Sequence, residues 1–185
     1  MNKMKNNLSK RQKAFLERLA QSRSDLLAVI DGLDVNTLTT EPVIGDWTVK
    51  DVLGHLVSWN DEFRSNIKAI LAGQHPGYDH QISEENDFNN SNQLWIKRKR
   101  GWKYERIRAD IDRDYEEAVA LILNLQPGDF RKRGVTPWKT AAIQRPADLS
   151  RDDTDSVETL VTYHWRHTNS HIRDLQVWRV NRGNR

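Results

Sequence analysis

Four long segments carry the 3.6-residue apolar repeat, breaker-rich connections separate them, and no strand pattern outcompetes them; together these predict an all-α four-helix bundle with long inter-helix connections. The composition agrees. With 37% hydrophobic and 30% charged residues, the chain suits narrow buried stripes beneath wet outer faces. Its 185 residues have the length of one domain, 1–185, with a real core.

The first helix is expected from about Leu8 to Leu33, with Leu8, Phe15, Leu19, Leu26, Ile30 and Leu33 on one stripe. Gly32 and Asp34-Val35-Asn36 end it, and Thr37 to Gly45 reads as a short connection broken by Pro42 and Gly45. The second helix starts at Thr48, a natural N-cap, with Asp51 three residues on completing a capping box. Its stripe is Val52, His55, Leu56, Trp59, Phe63, Ile67 and Ile70, and Gly73 with His75-Pro76-Gly77 stops it. A polar connection, Gln74 to Asn90, follows. The third helix is expected from about Ser91 to Leu125 along the seam Tyr104, Ile107, Ile111, Tyr115, Ala118, Ile122 and Leu125, with Gly101 as a kink point. An irregular stretch, Asp129 to Asp155, is longer than a bundle turn requires. The fourth helix runs from about Ser156 to Asn181.

Several function classes drop out early. There is no cysteine, so disulfides, thiolate zinc sites and a cysteine nucleophile are excluded. No apolar run approaches the ~20 residues of a membrane span. The basic stretch Met1 to Arg11 is not followed by an apolar signal core, which makes a cytoplasmic location the expectation. The net charge of +3 is spread among acidic residues and leaves no nucleic-acid footprint. The run Lys97-Arg98-Lys99-Arg100, with Lys103 beyond it, reads as a solvated helix face; nucleic-acid binding through it ranks last among the functions considered.

The informative feature is the fourth helix. His164, His167 and His171 continue the apolar stripe Val157, Leu160, Val161 toward Leu175 and Trp178. An imidazole at a core position needs a partner, and a divalent ion is the most economical one. His167 and His171, at i and i+4, can reach a single ion. A third ligand from a facing helix is His55, flanked by Val52 and Trp59 on the second helix's stripe. His164 is either a ligand in place of His167, a group behind the ligands, or a packed residue. Three neutral imidazoles favour Zn, Ni, Fe or Mn over Ca or Mg and leave an open position. Trp59, Tyr104 and Tyr115 are candidates for lining a pocket beside such an ion, with core packing the ordinary reading of each. Asn60, Asp61 and Glu62 read as a solvated face, with a base among them the alternative. His75 and His80 read as solvated loop residues.

Two motifs carry a family resemblance. Gly45-Asp46-Trp47-Thr48, leading into a helix with His55-Leu56, resembles the W-S/T and H-L signature of the DinB/YfiT-like superfamily. His167-Thr168-Asn169-Ser170-His171-Ile172 resembles that family's last-helix H-x-x-x-H motif followed by Ile. The resemblance implies an up-down-down-up bundle with a divalent ion, Ni or Zn, near one end, and it carries the ligand role onto His55, His167 and His171. It implies metal-dependent hydrolases, or transferases and isomerases that use a low-molecular-weight thiol such as mycothiol, bacillithiol or glutathione, acting on small molecules and often as homodimers. Helix two and the Gly77-Tyr78-Asp79 and Phe88-Asn89 region also resemble the ClbS/DfsB-like branch, some of whose members hydrolyse an electrophilic cyclopropane without metal; the three histidines favour the metal-bearing side. The competing reading is a non-catalytic module that binds a small ligand or takes part in a stress response. There the ion is structural or absent, and Trp138 with the basic loop forms the contact surface.

Overall fold

The structure, a computed structural model, describes residues 8–75, 88–136 and 154–183. Six α-helices and two small antiparallel sheets occur among them. Helix α1 is Lys10–Ile30 and α2 is Val35–Thr40. Strands β1 (Pro42–Ile44) and β2 (Trp47–Thr48) form a hairpin. Helix α3 is Val49–Leu71, α4 is Phe88–Arg100 and α5 is Tyr104–Asn124. A 3-10 turn at Asp129–Arg131 leads to β3 (Arg133–Val135), which pairs with β4 (Thr154–Ser156), and α6 is Val157–Gly183.

Helices α1, α3, α5 and α6 make the bundle. Each of α1 and α3 touches both α5 and α6. One end of the core joins Leu26 and Ile30 of α1 to Val52 and Leu53 of α3, Ile107 of α5 and Leu175 of α6. That end holds the starts of α3 and α5 and the finishes of α1 and α6, so α3 and α5 run together, opposite to α1 and α6. The other end packs Phe15, Phe63, Ile67, Ile122, Phe130 and Leu160. No helix among the described residues is long and apolar enough to cross a membrane.

Local chemistry sets the helix starts. Thr48 accepts from Asp51 N while Asp51 returns to Thr48 N, so the expected capping box is in place. Ser9 and Gln12 form a second box on α1. Buried Gln12 then donates to the carbonyls of Ile122 and Leu125, satisfying the C-terminus of α5 across the bundle.

Three boundaries differ from the sequence expectation. The connection after α1 contains α2, capped by Asp34, and the β1–β2 hairpin. Gly45 turns that hairpin at φ +58°, a left-handed conformation suited to glycine. The expected third helix is two helices, broken at Gly101–Lys103. Lys50 of α3 donates to the carbonyls of Arg100 and Trp102, so the exposed end of α4 is satisfied by a residue 50 positions away. Helix α4 then lies antiparallel along the outer flank of α3: Asn92 meets Trp59, and Lys99 meets Gly54 and Ser58.

Side-chain burial differs from the expectation as well. Lys99 is half-buried rather than solvated; its ammonium donates to Gly54 O at 3.0 Å and Ser58 Oγ at 2.6 Å, and burial pushes its pKa down to about 8. Arg100 pairs with Asp46 and Asp51. Asn60 and Glu62 are buried instead of forming a wet face: Asn60 donates to Asp114 and Glu62 accepts from Asn66, while Asp61 is exposed and pairs with Arg64.

Candidate metal centre

The imidazoles of His55, His167 and His171 meet between α3 and α6. Their ring centroids form an even triangle, each pair 4.9 Å apart, with the rings steeply inclined at 65°, 87° and 83°. Flat stacking would hide the ring nitrogens; this edge-on arrangement aims them at a common point. His55 Nε2 and His167 Nε2 are 3.0 Å apart, and one ligand atom from each of the three residues falls within 4.8 Å of the others.

The donor set fits a divalent ion. Zn–N bonds of about 2.0–2.1 Å place neighbouring ligand nitrogens about 3–3.5 Å apart, within the observed spread. Ligating imidazoles must be neutral. Burial, then the neighbouring imidazoles, pushes His55 down to about 2 and His167 to about 3, and burial lowers His171 as well. His171 Nδ1 lies 3.1 Å from Asp174 Oδ2. A carboxylate only accepts, so Nδ1 carries the proton and the Nε2 lone pair is free to face the cluster. The Nδ1 atoms of His55 and His167 are buried and make no hydrogen bond among the described residues.

His164 is not part of the triangle. One turn before His167, its ring enters a buried polar layer between the two apolar ends of the bundle, and Phe63 lies beside both rings. There its Nε2 is 3.8 Å from Asp114, which also accepts from Asn60 at 2.7 Å and pairs with buried Arg64. Burial first, and Arg64 second, push His164 down to about 3. Asp114 does not rescue the imidazolium because its charge is already met by Arg64.

The triad forms one wall of a cleft of about 660 Å³, the size of a small-molecule site. Trp59 lines it, together with Trp47, Ile44 and Phe63. The hairpin brings Trp47 to 5.0 Å from the His55 ring. Tyr104 and Tyr115 do not line this cleft. Tyr104 packs against the core end that holds Val52 and Ile107, and Tyr115 borders the polar layer near His164 under the guanidinium of Arg23. Both tyrosines lie on α5, across the bundle from the α3–α6 groove where the histidines open. Three polar residues of the cleft had not been anticipated: Asn92, Tyr163 and Arg166. Tyr163 was detectable at i−4 from His167; Asn92 depends on α4 folding back and left no local signal. His75 is exposed, while His80 and Trp138 lie outside the described residues.

A four-helix core with a three-histidine cluster beside a cleft defines a helical bundle with a group of side chains that could hold a metal ion. The model of the DinB superfamily matches residues 18–174, and the chain belongs to that family. No curated protein matches it. Solved structures share the fold. A Streptococcus pneumoniae protein is 11% identical with a TM-score of 0.72, over 93% of this chain and 92% of that one. An uncharacterized Clostridium difficile 630 protein is 10% identical with a TM-score of 0.72, over 93% and 97%. An uncharacterised Escherichia coli UTI89 protein is 14% identical with a TM-score of 0.72, over 95% and 96%.

Proposed function

We propose that this protein is a metal-dependent enzyme acting on a small molecule, either a hydrolase or a transferase that uses a low-molecular-weight thiol. His55, His167 and His171 hold a divalent ion, Ni or Zn, through Nε2. The single observation that carries this reading is the convergence of three neutral, edge-on imidazoles from helices α3 and α6 on one point beside a cleft. Such an ion supplies Lewis acidity and lowers the pKa of bound water or thiol.

The residues of the chain supply the rest. Asp174 orients His171 by accepting its Nδ1 proton. Trp47, Trp59 and Phe63 exclude water from one side of the cluster and offer flat apolar surface to a substrate. The open side favours catalysis over a purely structural ion, because structural sites are closed by a fourth protein ligand. His164, the nearest spare imidazole on α6, lies by Asp114 in the buried polar layer and does not line the cleft.

Elemental analysis of purified protein tests the ligand set. Wild type should carry about one ion per chain, and His55→Ala and His171→Ala should each carry less than a tenth of that. Undiminished metal in both variants rejects the triad. The loaded protein is then screened against ester, amide and thiol-conjugation substrates, with turnover expected in wild type and lost in both variants.

A further inference from the structure

The cleft beside the triad carries an unbalanced charge, and the imbalance names its ligand. Among the described residues ten line it, and none of these is an aspartate or glutamate. Its polar groups other than the imidazoles are Asn92, Tyr163 and Arg166. Arg166 is exposed and makes no ion pair or hydrogen bond among the described residues. Asn92 is fixed by Trp59: the indole Nε1 donates to Asn92 Oδ1 at 2.8 Å, which commits the carboxamide oxygen and leaves the NH₂ group as the free end. Tyr163 adds a phenol to the same wall. The site therefore offers a permanently charged guanidinium and hydrogen-bond donors beside aromatic rings, and a divalent ion on three neutral imidazoles would add two further positive charges. Asp174 is the carboxylate beside the cluster, and it sits behind His171 on that ring's far nitrogen.

The geometry points to a carboxylate-bearing small molecule with a flat apolar body as the ligand of this cleft, its carboxylate held by Arg166 and Asn92 and its body against Trp47, Trp59 and Phe63. A guanidinium matches a carboxylate as a two-pronged donor, and the partly enclosed aromatic walls strengthen that pairing over its value in water. This inference rests on the metal reading for the overall charge and on Arg166 for the selectivity. The carboxylate can belong to the substrate or to the thiol co-substrate; the same clamp serves either.

Tryptophan fluorescence of the full-length, zinc-loaded protein measures it. The probes are 2-naphthoate against neutral 2-naphthamide, and glutathione against its diethyl ester. The acid of at least one pair should bind at least tenfold more tightly than its neutral counterpart. Preference in the naphthoate pair assigns the carboxylate to the substrate; preference in the glutathione pair alone assigns it to the thiol. Arg166→Gln should bring the preference below threefold, and Arg166→Lys should retain part of it. No preference in either pair, or full preference in Arg166→Gln, overturns the inference. Bound zinc measured on the same samples separates the two readings: a chain without zinc that still prefers the acid through Arg166 rejects the ion and keeps the clamp, whereas a zinc-loaded chain indifferent to charge does the reverse.

Discussion

Asp174 is the residue with the most to say about the candidate centre, because it touches no ligand position and yet determines which nitrogen of His171 is available. Asp174→Asn should leave the fold intact and weaken zinc binding about 10–100-fold, the usual cost of removing a carboxylate behind a ligating histidine. Isothermal titration checks this, and unchanged affinity would reject the orienting role. His164 makes a different prediction. Its folded pKa is pushed down to about 3 against an ordinary value of 6.5. Above pH 6.5 both folded and unfolded chains hold it neutral. As the pH falls below 6.5 the unfolded chain takes up a proton that the folded chain refuses, so stability declines toward pH 3 by up to about 1.4 kcal/mol per pH unit. Urea melts of metal-free protein between pH 6.5 and 5 should show a shallower decline in His164→Gln; equal slopes would remove His164 as a cause. The histidines were legible in the sequence because their spacing on one helix face is local information. Arg166 and Asn92 were not, since their meaning depends on the absence of carboxylates around them in three dimensions.

Among the elements, α3 does most to place the centre, and its start is fixed by the Thr48–Asp51 box. Thr48→Ala should cost about 1 kcal/mol, within the range for lost N-caps. Chemical denaturation measures it, and a cost near zero would mean that Trp47 and the hairpin hold the helix start without the cap. This start could be read from four consecutive residues. Gly101 marked the place where α4 and α5 part, but the full break and the fold-back of α4 could not be read. The apolar repeat runs on through the region, and the interruption is stabilised by Lys50, far away in the chain. The burial of Asn60 and Glu62 was hidden too, since their polar character had suggested water. A polar residue in a sequence records that it needs a hydrogen bond; it does not record whether water or another helix supplies it.

At the scale of the molecule, the candidate centre ties His55 to a residue 112 positions later in the chain. An ion held there binds only the folded chain and stabilises it by mass action. With free zinc at 100 times its dissociation constant the gain is about 2.7 kcal/mol. For a protein of this size that corresponds to a melting temperature about 5–10 °C higher. Calorimetry with and without chelator should show that shift in wild type and none in His55→Ala; a wild-type melt indifferent to chelation removes the ion from the fold. The bundle itself was legible in four amphipathic segments, while the order in which they run was implied by the family resemblance. The polar layer of Asn60, Arg64, Asp114 and His164 was not, because its members come from three helices and mean nothing singly.

The enclosure of α3 has a consequence for how such a protein can change over generations. Seventeen of its 23 residues are buried, with α2, α4, α5, α6 and β2 all against it. Almost any replacement there disturbs a neighbour. Ile44, Trp47 and Arg166, by contrast, line the cleft without being buried, the first two on a short hairpin and the third at an exposed position of α6, where replacements disturb fewer neighbours. A population of variants would therefore tolerate a reshaped cleft rim more readily than a reshaped α3, because a change at the rim leaves most of the core's contacts in place.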